Sequence, residues 1–477
     1  MPVTQFRTAH AATSTEEVAA VLAGSSKRYA ALALVETDAG PILTALGLTA
    51  PADPTAATLV LYPDAGALRA DLAAHRDRLA VIRATDVDAS VRALAWGDAA
   101  LFGVDRVRTI GDWPLVAMFE AVLDANGVPD PAAAPNAAFS PDRLWTMVAG
   151  GDILLDRGVA KTIKIDKKGV DFPFDGGTAE ITSRYCCSSF GWELPRTKRT
   201  GNAGAVRAYL EAADLAIANF ENPAPVKFRY HTSGTVFSAD PALIEGLANA
   251  GIDYVSLANN HIRDAGAQGI LDTIGHLDEW GIAHGGAGKD ISAARAPTLL
   301  EANGITVAIL GRDAIASGYA ATASRVGSAP LGATPIKNDI AAARAAGADV
   351  VIVFPHWGTE YDATPFANQQ KLARAIIDAG ADMVIGNHAH WAAALEVYDG
   401  RPIWYALGNF VFDQTWSEPT MEGITLELTF DGATLVQARM RPHIILDKAQ
   451  PNFMDPAGSG KVVMNQVFAA SKGLLPW

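Results

Sequence analysis

The chain has 477 residues, 49% of them hydrophobic and 19% charged, with a formal net charge of −14. That length exceeds what a single core fills, so it predicts two domains, and the apolar fraction predicts a globular protein. The negative balance argues against nucleic acid or an anionic membrane as the main partner, because both select basic surfaces.

The opening "MPVTQFRTAHAATSTEEVAAVLAG" has no basic start followed by an apolar core. No window offers about 18 uninterrupted apolar residues, so the sequence as written predicts no signal peptide or membrane segment and a chain that is cytoplasmic or soluble. From Thr15 to about Asp130, helix-like stretches ("STEEVAAVLAG", "DAGALRADLAAHRDRL") alternate with strand-like ones ("ATLVLY", "LAVIRA", "VRALAW"). This rhythm predicts a small α/β accessory domain over 1–130, with no catalytic constellation in it. "PDPAAAPNAAFSPD", rich in Pro and Ala, then predicts a linker over 131–142.

A larger α/β domain is expected over 143–430, where apolar runs such as "LWTMVAGGD", "LAIANFE", "YVSLANNH", "TVAILG", "VVIVFPHWG" and "DMVIGNHAH" are separated by helix-like segments. Residues 431–477 are expected to pack on that domain as an extension. The segment "FPFDGGTAEITSRYCCSSFGWELPRTKRTGN" breaks the rhythm and predicts a long loop acting as a lid. Its basic "RTKRT" contains Lys198 and Arg199. Cys186 and Cys187, the only cysteines, are adjacent, so no disulfide framework is expected.

Polar residues follow each apolar run: Asp152, then Asn219 and Glu221, then Asn259, Asn260 and His261, then His356, and finally His388 and His390. In open α/β sheets ligands bind beyond the carboxyl ends of strands, so these groups should converge. On a strand, positions i and i+2 share a side, which would present His388 and His390 together. Carboxylates, amides and imidazoles together suit Mn, Zn or Fe, and a carboxylate can bridge two such cations.

The ordered blocks "GGDILLDRG", "ADLAIANFENP", "GIDYVSLANNHIRDAG", "VVIVFPHWGTEY" and "GADMVIGNHAHWAAALEVYDGRPIWYALGNFVFDQ" closely resemble the CapA branch of the calcineurin-like metallophosphoesterases, associated with poly-γ-glutamate capsule synthesis. The resemblance spans roughly residues 144–414. It implies a four-layer αββα sandwich of two mixed sheets between helices, and two divalent metal ions. Asp152 and His390 would bind the first ion, Asn260, His356 and His388 the second, and Glu221 both. His261 would take the family's acid/base position. Where the wider superfamily has a histidine after the first aspartate, this chain has Leu154, so the first site is expected to bind its metal more weakly.

Asp264 is a candidate to orient His261. Arg157, Lys198 and Arg199 would suit an anionic group, and Asn219 and Asn259 are further candidates for substrate contact. The expected activity is metal-dependent hydrolysis of an anionic small molecule or peptide, either a phosphoester or a γ-glutamyl amide. Two other readings use the same site: an epimerase acting by proton abstraction, and a non-catalytic polyglutamate-binding or carbohydrate-binding scaffold.

Overall fold

The structure, a computed structural model, describes residues 1–53, 57–117 and 139–475. Residues 118–130 of the expected accessory domain and 131–138 of the expected linker lie outside the described residues. The chain divides into two compact units.

The first unit comprises Met1–Thr146 with Leu428–Arg439. Its five-stranded sheet runs in the order Leu59–Tyr62, Ala31–Val35, Arg78–Val81, Pro2–Gln5, Val91–Ala93. The first three strands are parallel, and Pro2–Gln5 is antiparallel to both its neighbours. Alternate side chains of a strand point to opposite faces. Leu32, Leu34, Leu79 and Val81 accordingly pack with Val18, Val21, Ile42 and Leu43 of the helices Thr15–Leu22 and Glu36–Ala45. Ala33 and Ala80 turn the other way, toward Leu68 and Leu72 of the helix Ala65–Ala74. Ser14 and Asp64 cap two of these helices by accepting from Glu17 N and Ala67 N.

The second unit comprises Met147–Glu427 and Met440–Leu475. Of the expected extension, residues 431–439 fall in the first unit and 440–475 in the second, and 428–430 of the expected metal domain also fall in the first. An eight-stranded sheet has a parallel stretch in the order Ala283–Gly285, Tyr254–Ser256, Leu215–Phe220, Leu144–Ile153. All ten residues of Leu144–Ile153 are buried, as expected for a strand covered on both faces. Gly151 is required there. A Cβ on it would lie 1.8 Å from the carbonyl oxygen of Gly408, whose strand neighbour Asn409–Val411 pairs with Leu144–Ile153.

A six-stranded sheet follows the order Thr298–Ala302, Ile305–Asp313, Val350–His356, Met383–Ile385, Arg401–Trp404, Leu395–Tyr398, parallel except at its two edges. Val351, Val353 and Val384 pack against Ile336, Ile340, Ala373, Ile376 and Ile377 of the helices Ala333–Ala345 and Ala367–Asp378. The fold is thus mixed α/β with several sheets. Among the described residues no helix is long and apolar enough to cross a membrane.

The segment expected as a loop is instead an exposed hairpin of strands Ala179–Tyr185 and Leu194–Arg199. Ile181, Thr182 and Tyr185, side chains that favour extended backbone, support a two-stranded ribbon, which the neighbouring glycines and serines obscured. Cys186 and Cys187, at its turn, are joined to each other; the bond closes no loop between distant segments.

Candidate metal centre

Strand ends of both sheets in the second unit meet at one buried cluster. Asp152 comes from the end of Leu144–Ile153, Glu221 follows Leu215–Phe220, His356 ends Val350–His356, and His388 and His390 follow Met383–Ile385. His388 and His390 are not on the strand. They lie in the turn after it, at φ of 90° and 57°, so left-handed backbone rather than strand alternation turns both imidazoles inward. Such conformations in non-glycine residues are concentrated at functional sites.

Two groups have ligand atoms within 4.8 Å of one another: Glu221 with His356 and His388, and Asp152 with Glu221 and His390. Glu221 belongs to both. Its Oε1 stands 3.6 Å from His356 Nε2 and 3.8 Å from His390 Nε2. The Asn260 Oδ1 lies 2.7 Å from His356 Nε2, and His388 Nδ1 lies 3.1 Å from the same atom. Neither carboxylate oxygen of Glu221, though buried, has a hydrogen-bond partner. Buried carboxylates are normally satisfied, so two open oxygens, one of them facing two imidazole nitrogens, fit cations held by this set.

The electrostatics agree with that fit. Burial pushes the Asp152 carboxyl up to about 7, partly offset by hydrogen bonds from Asn219 and the His388 backbone. Burial, then the nearby Asp152 charge, holds Glu221 well above the usual carboxylate range. Burial also lowers His388 to about 4 and His390 to about 3, and holds His356 well below the ordinary histidine value. Neutral imidazoles are the form that coordinates metal.

Surrounding amides fix the orientations. Asn219 donates to Asp152 Oδ1 at 2.7 Å and lies 3.3 Å from His356 Nδ1. Asn259 donates to Phe220 O and Asn219 Oδ1, while its own Oδ1 accepts from His261 N. Asn409, which the sequence reading assigned no role, is tied by two acceptors: its Nδ2 donates to Thr420 O and Gln414 Oε1. Its Oδ1 must then face His390 Nδ1, 2.8 Å away, and accept that N–H, leaving Nε2 free toward Glu221. A polar residue at the start of the apolar run "NFVF" was the available signal. Asn409→Leu should weaken metal binding about 10–100-fold, the usual effect of removing such a support. Equilibrium dialysis of the variant measures it.

His261 sits beside this cluster. Its Nδ1 is 2.8 Å from Asp264 Oδ2, which also accepts from Phe237 N, and Tyr319 donates its hydroxyl to Asp264 Oδ1 at 3.1 Å. The Phe237 ring lies 4.1 Å from the imidazole. Leu154, at the superfamily's histidine position, is fully buried in an apolar cluster with Phe237, Phe412 and Ile445.

The remaining candidates are placed unevenly. The Arg157 guanidinium is bonded to Asp413 and to Gly234 O, and lies over the Phe237 ring at 4.8 Å. Its charge nevertheless reaches the cluster, acting on both Glu221 and His390. Lys198 and Arg199 stand at the exposed stem of the hairpin, where Arg199 pairs with Asp447 at 2.7 Å. It is the hairpin's turn that joins the rings beside His390: Trp192 meets Trp391, Phe190 meets Trp416, and Tyr361 stacks on His390.

The second unit carries most of the chain's similarity to known proteins. Residues 146–414 match the family described as "Bacterial capsule synthesis protein PGA_cap". The chain is 35% identical over 268 residues to the capsule biosynthesis protein CapA of Bacillus anthracis, covering 54% of this chain and 62% of that one. It is 37% identical over 216 residues to the PGA biosynthesis protein CapA of Bacillus subtilis, covering 44% and 57% respectively. The chain thus spans about three fifths of the length of these curated relatives. A solved calcineurin-like phosphoesterase of Bacillus subtilis overlaps it with a TM-score of 0.34 at 13% identity, over 69% of this chain and 96% of that one.

Proposed function

The chain belongs to the PGA_cap family of bacterial capsule synthesis proteins, and from that premise we propose that its second unit is a dinuclear metal-dependent hydrolase of an anionic substrate. The observation that carries the reading is Glu221, buried with both oxygens unpartnered between two sets of ligand atoms. Asp152, Glu221 and His390 would hold one divalent ion, of Mn, Zn or Fe type, and Glu221, Asn260, His356 and His388 would hold the other. Ions bound there would polarise an acyl or phosphoryl oxygen and lower the pKa of a water.

The chain's own groups do the rest. Asp264 accepts a hydrogen bond from His261 Nδ1–H, so that Nε2 faces the substrate, where it can take a proton and then, as the imidazolium, give it to a leaving group. Phe237 limits the imidazole's rotation, and Arg157, stacked on that same ring, adds positive charge beside the carboxylates. Asn219 and Asn259 keep Asp152 and the backbone at His261 in register. A site with this charge suits a phosphoester or a γ-glutamyl amide. The relative named for PGA biosynthesis favours the amide.

The test is elemental analysis of purified protein, followed by phosphoesters and γ-glutamyl peptides offered with and without added metal, in D₂O. We expect roughly one to two divalent ions per chain and metal-dependent cleavage. Absence of bound metal at saturating concentration would overturn the reading. Deuterium incorporation without cleavage would instead establish epimerisation.

A further inference from the structure

Five aromatic rings from four segments gather beside the metal cluster. Tyr361 lies 5.9 Å from His390 and meets Trp416 at 4.8 Å and 82°. Trp391 follows His390 directly and meets Trp192 of the hairpin turn at 5.8 Å and 88°. Phe190 of the same turn meets Trp416 at 5.4 Å and 66°. Phe190 is 71% exposed and Trp192 40% exposed, while Trp391, Trp416 and Tyr361 are half-buried. Exposed aromatic clusters of this kind, continuous with a buried polar site, mark ligand contact.

The chemistry of the patch narrows the ligand. The nearby Arg184 guanidinium is held by both oxygens of Glu418, at 2.9 and 2.8 Å, and Arg196 lies over the Tyr185 ring. Arg184 is thereby paired, and the five rings carry no charge of their own, so the patch suits an uncharged group. The contacts among these rings are tilted or edge-on, at 56° to 88°, and none is a parallel stack that would sandwich a flat base. One face with a perpendicular wall suits a puckered ring with axial C–H groups and equatorial hydroxyls. The Trp391 indole N–H, buried and without a hydrogen-bond partner, is a donor awaiting an acceptor.

We propose that Phe190, Trp192, Tyr361, Trp391 and Trp416 form a subsite for a neutral pyranose ring of a glycan beside the metal centre. This extends the hydrolase reading by giving it a specificity surface, and sugar binding itself needs no metal. The test therefore uses the full chain after chelation, so that its outcome is separate from that of the metal and cleavage assays. Triacetylchitotriose and maltotriose are titrated by tryptophan fluorescence and calorimetry, with adenosine monophosphate and a γ-glutamate tetramer as comparison ligands.

At least one trisaccharide should bind saturably. Phe190→Ala with Trp192→Ala should weaken it about tenfold, the order expected for lost ring stacking. Trp391→Phe, which keeps a ring but removes the N–H, should weaken it about three- to tenfold. Unchanged thermal unfolding of these variants shows that the fold is retained. Saturable binding of neither trisaccharide, equal binding by the folded variants, or tighter binding of either comparison ligand would overturn the proposal.

Discussion

Glu221→Gln is expected to abolish metal loading and, at pH 8 in chelator, to make the protein more stable than the parent. Glutamine keeps the shape but carries no charge, so the bridging ligand is lost and metal-dependent turnover should fall below detection. The stability effect follows from the raised carboxyl values in the metal-free cluster. An acid whose folded value lies above its unfolded one contributes stability that is complete below the unfolded value, about 4, and lost as pH rises through the folded value. For Asp152 that window closes at about 7.

The histidines act oppositely. His388 and His390 are lowered to about 4 and about 3, so their contribution is complete above about 6.5 and lost only as pH falls through those values. At pH 8 they are neutral in both states, and the buried carboxylates alone are penalised. Removing the Glu221 charge should then add about 1–3 kcal/mol, the scale of an unsatisfied buried polar group. Metal should raise the parent's Tm by mass action and leave that of the variant unmoved. A variant no more stable than the chelated parent, or one still binding metal stoichiometrically, contradicts this account.

Much of the cluster was legible because the chemistry sits where apolar runs end. Asp152 and His356 lie at the ends of buried strands and Glu221, His388 and His390 just beyond them, and parallel strands deliver their carboxyl ends to one edge. The turn geometry was not legible. His388 and His390 looked like strand neighbours, but Gly386 lets the chain pass against Tyr405 O, where a Cβ would stand 2.1 Å away, and the backbone then turns left-handed. Register between distant segments was hidden as well. Asn409 acts on His390 only because its strand pairs with Leu144–Ile153. The hairpin was not legible as strands because they are exposed and offer little apolar alternation, the signal on which strand prediction depends.

His261→Ala should keep its metal and lose about 10²–10⁴-fold in turnover, the range for a positioned acid or base. The side chain touches Asp264 and Phe237, whereas the ligand atoms of the metal groups belong to other residues, so metal content is the control that separates the two roles. Asp264→Asn tests the pair further. An amide at that position cannot accept from His261 Nδ1, Phe237 N and Tyr319 Oη as the carboxylate does, so the imidazole would lose its fixed tautomer and part of its orientation. If Asp264 works through His261, the double variant should be scarcely slower than His261→Ala alone, because groups acting as one unit are not additive. Additive losses would place Asp264 in a separate role, and loss of metal on His261→Ala would make that imidazole a ligand.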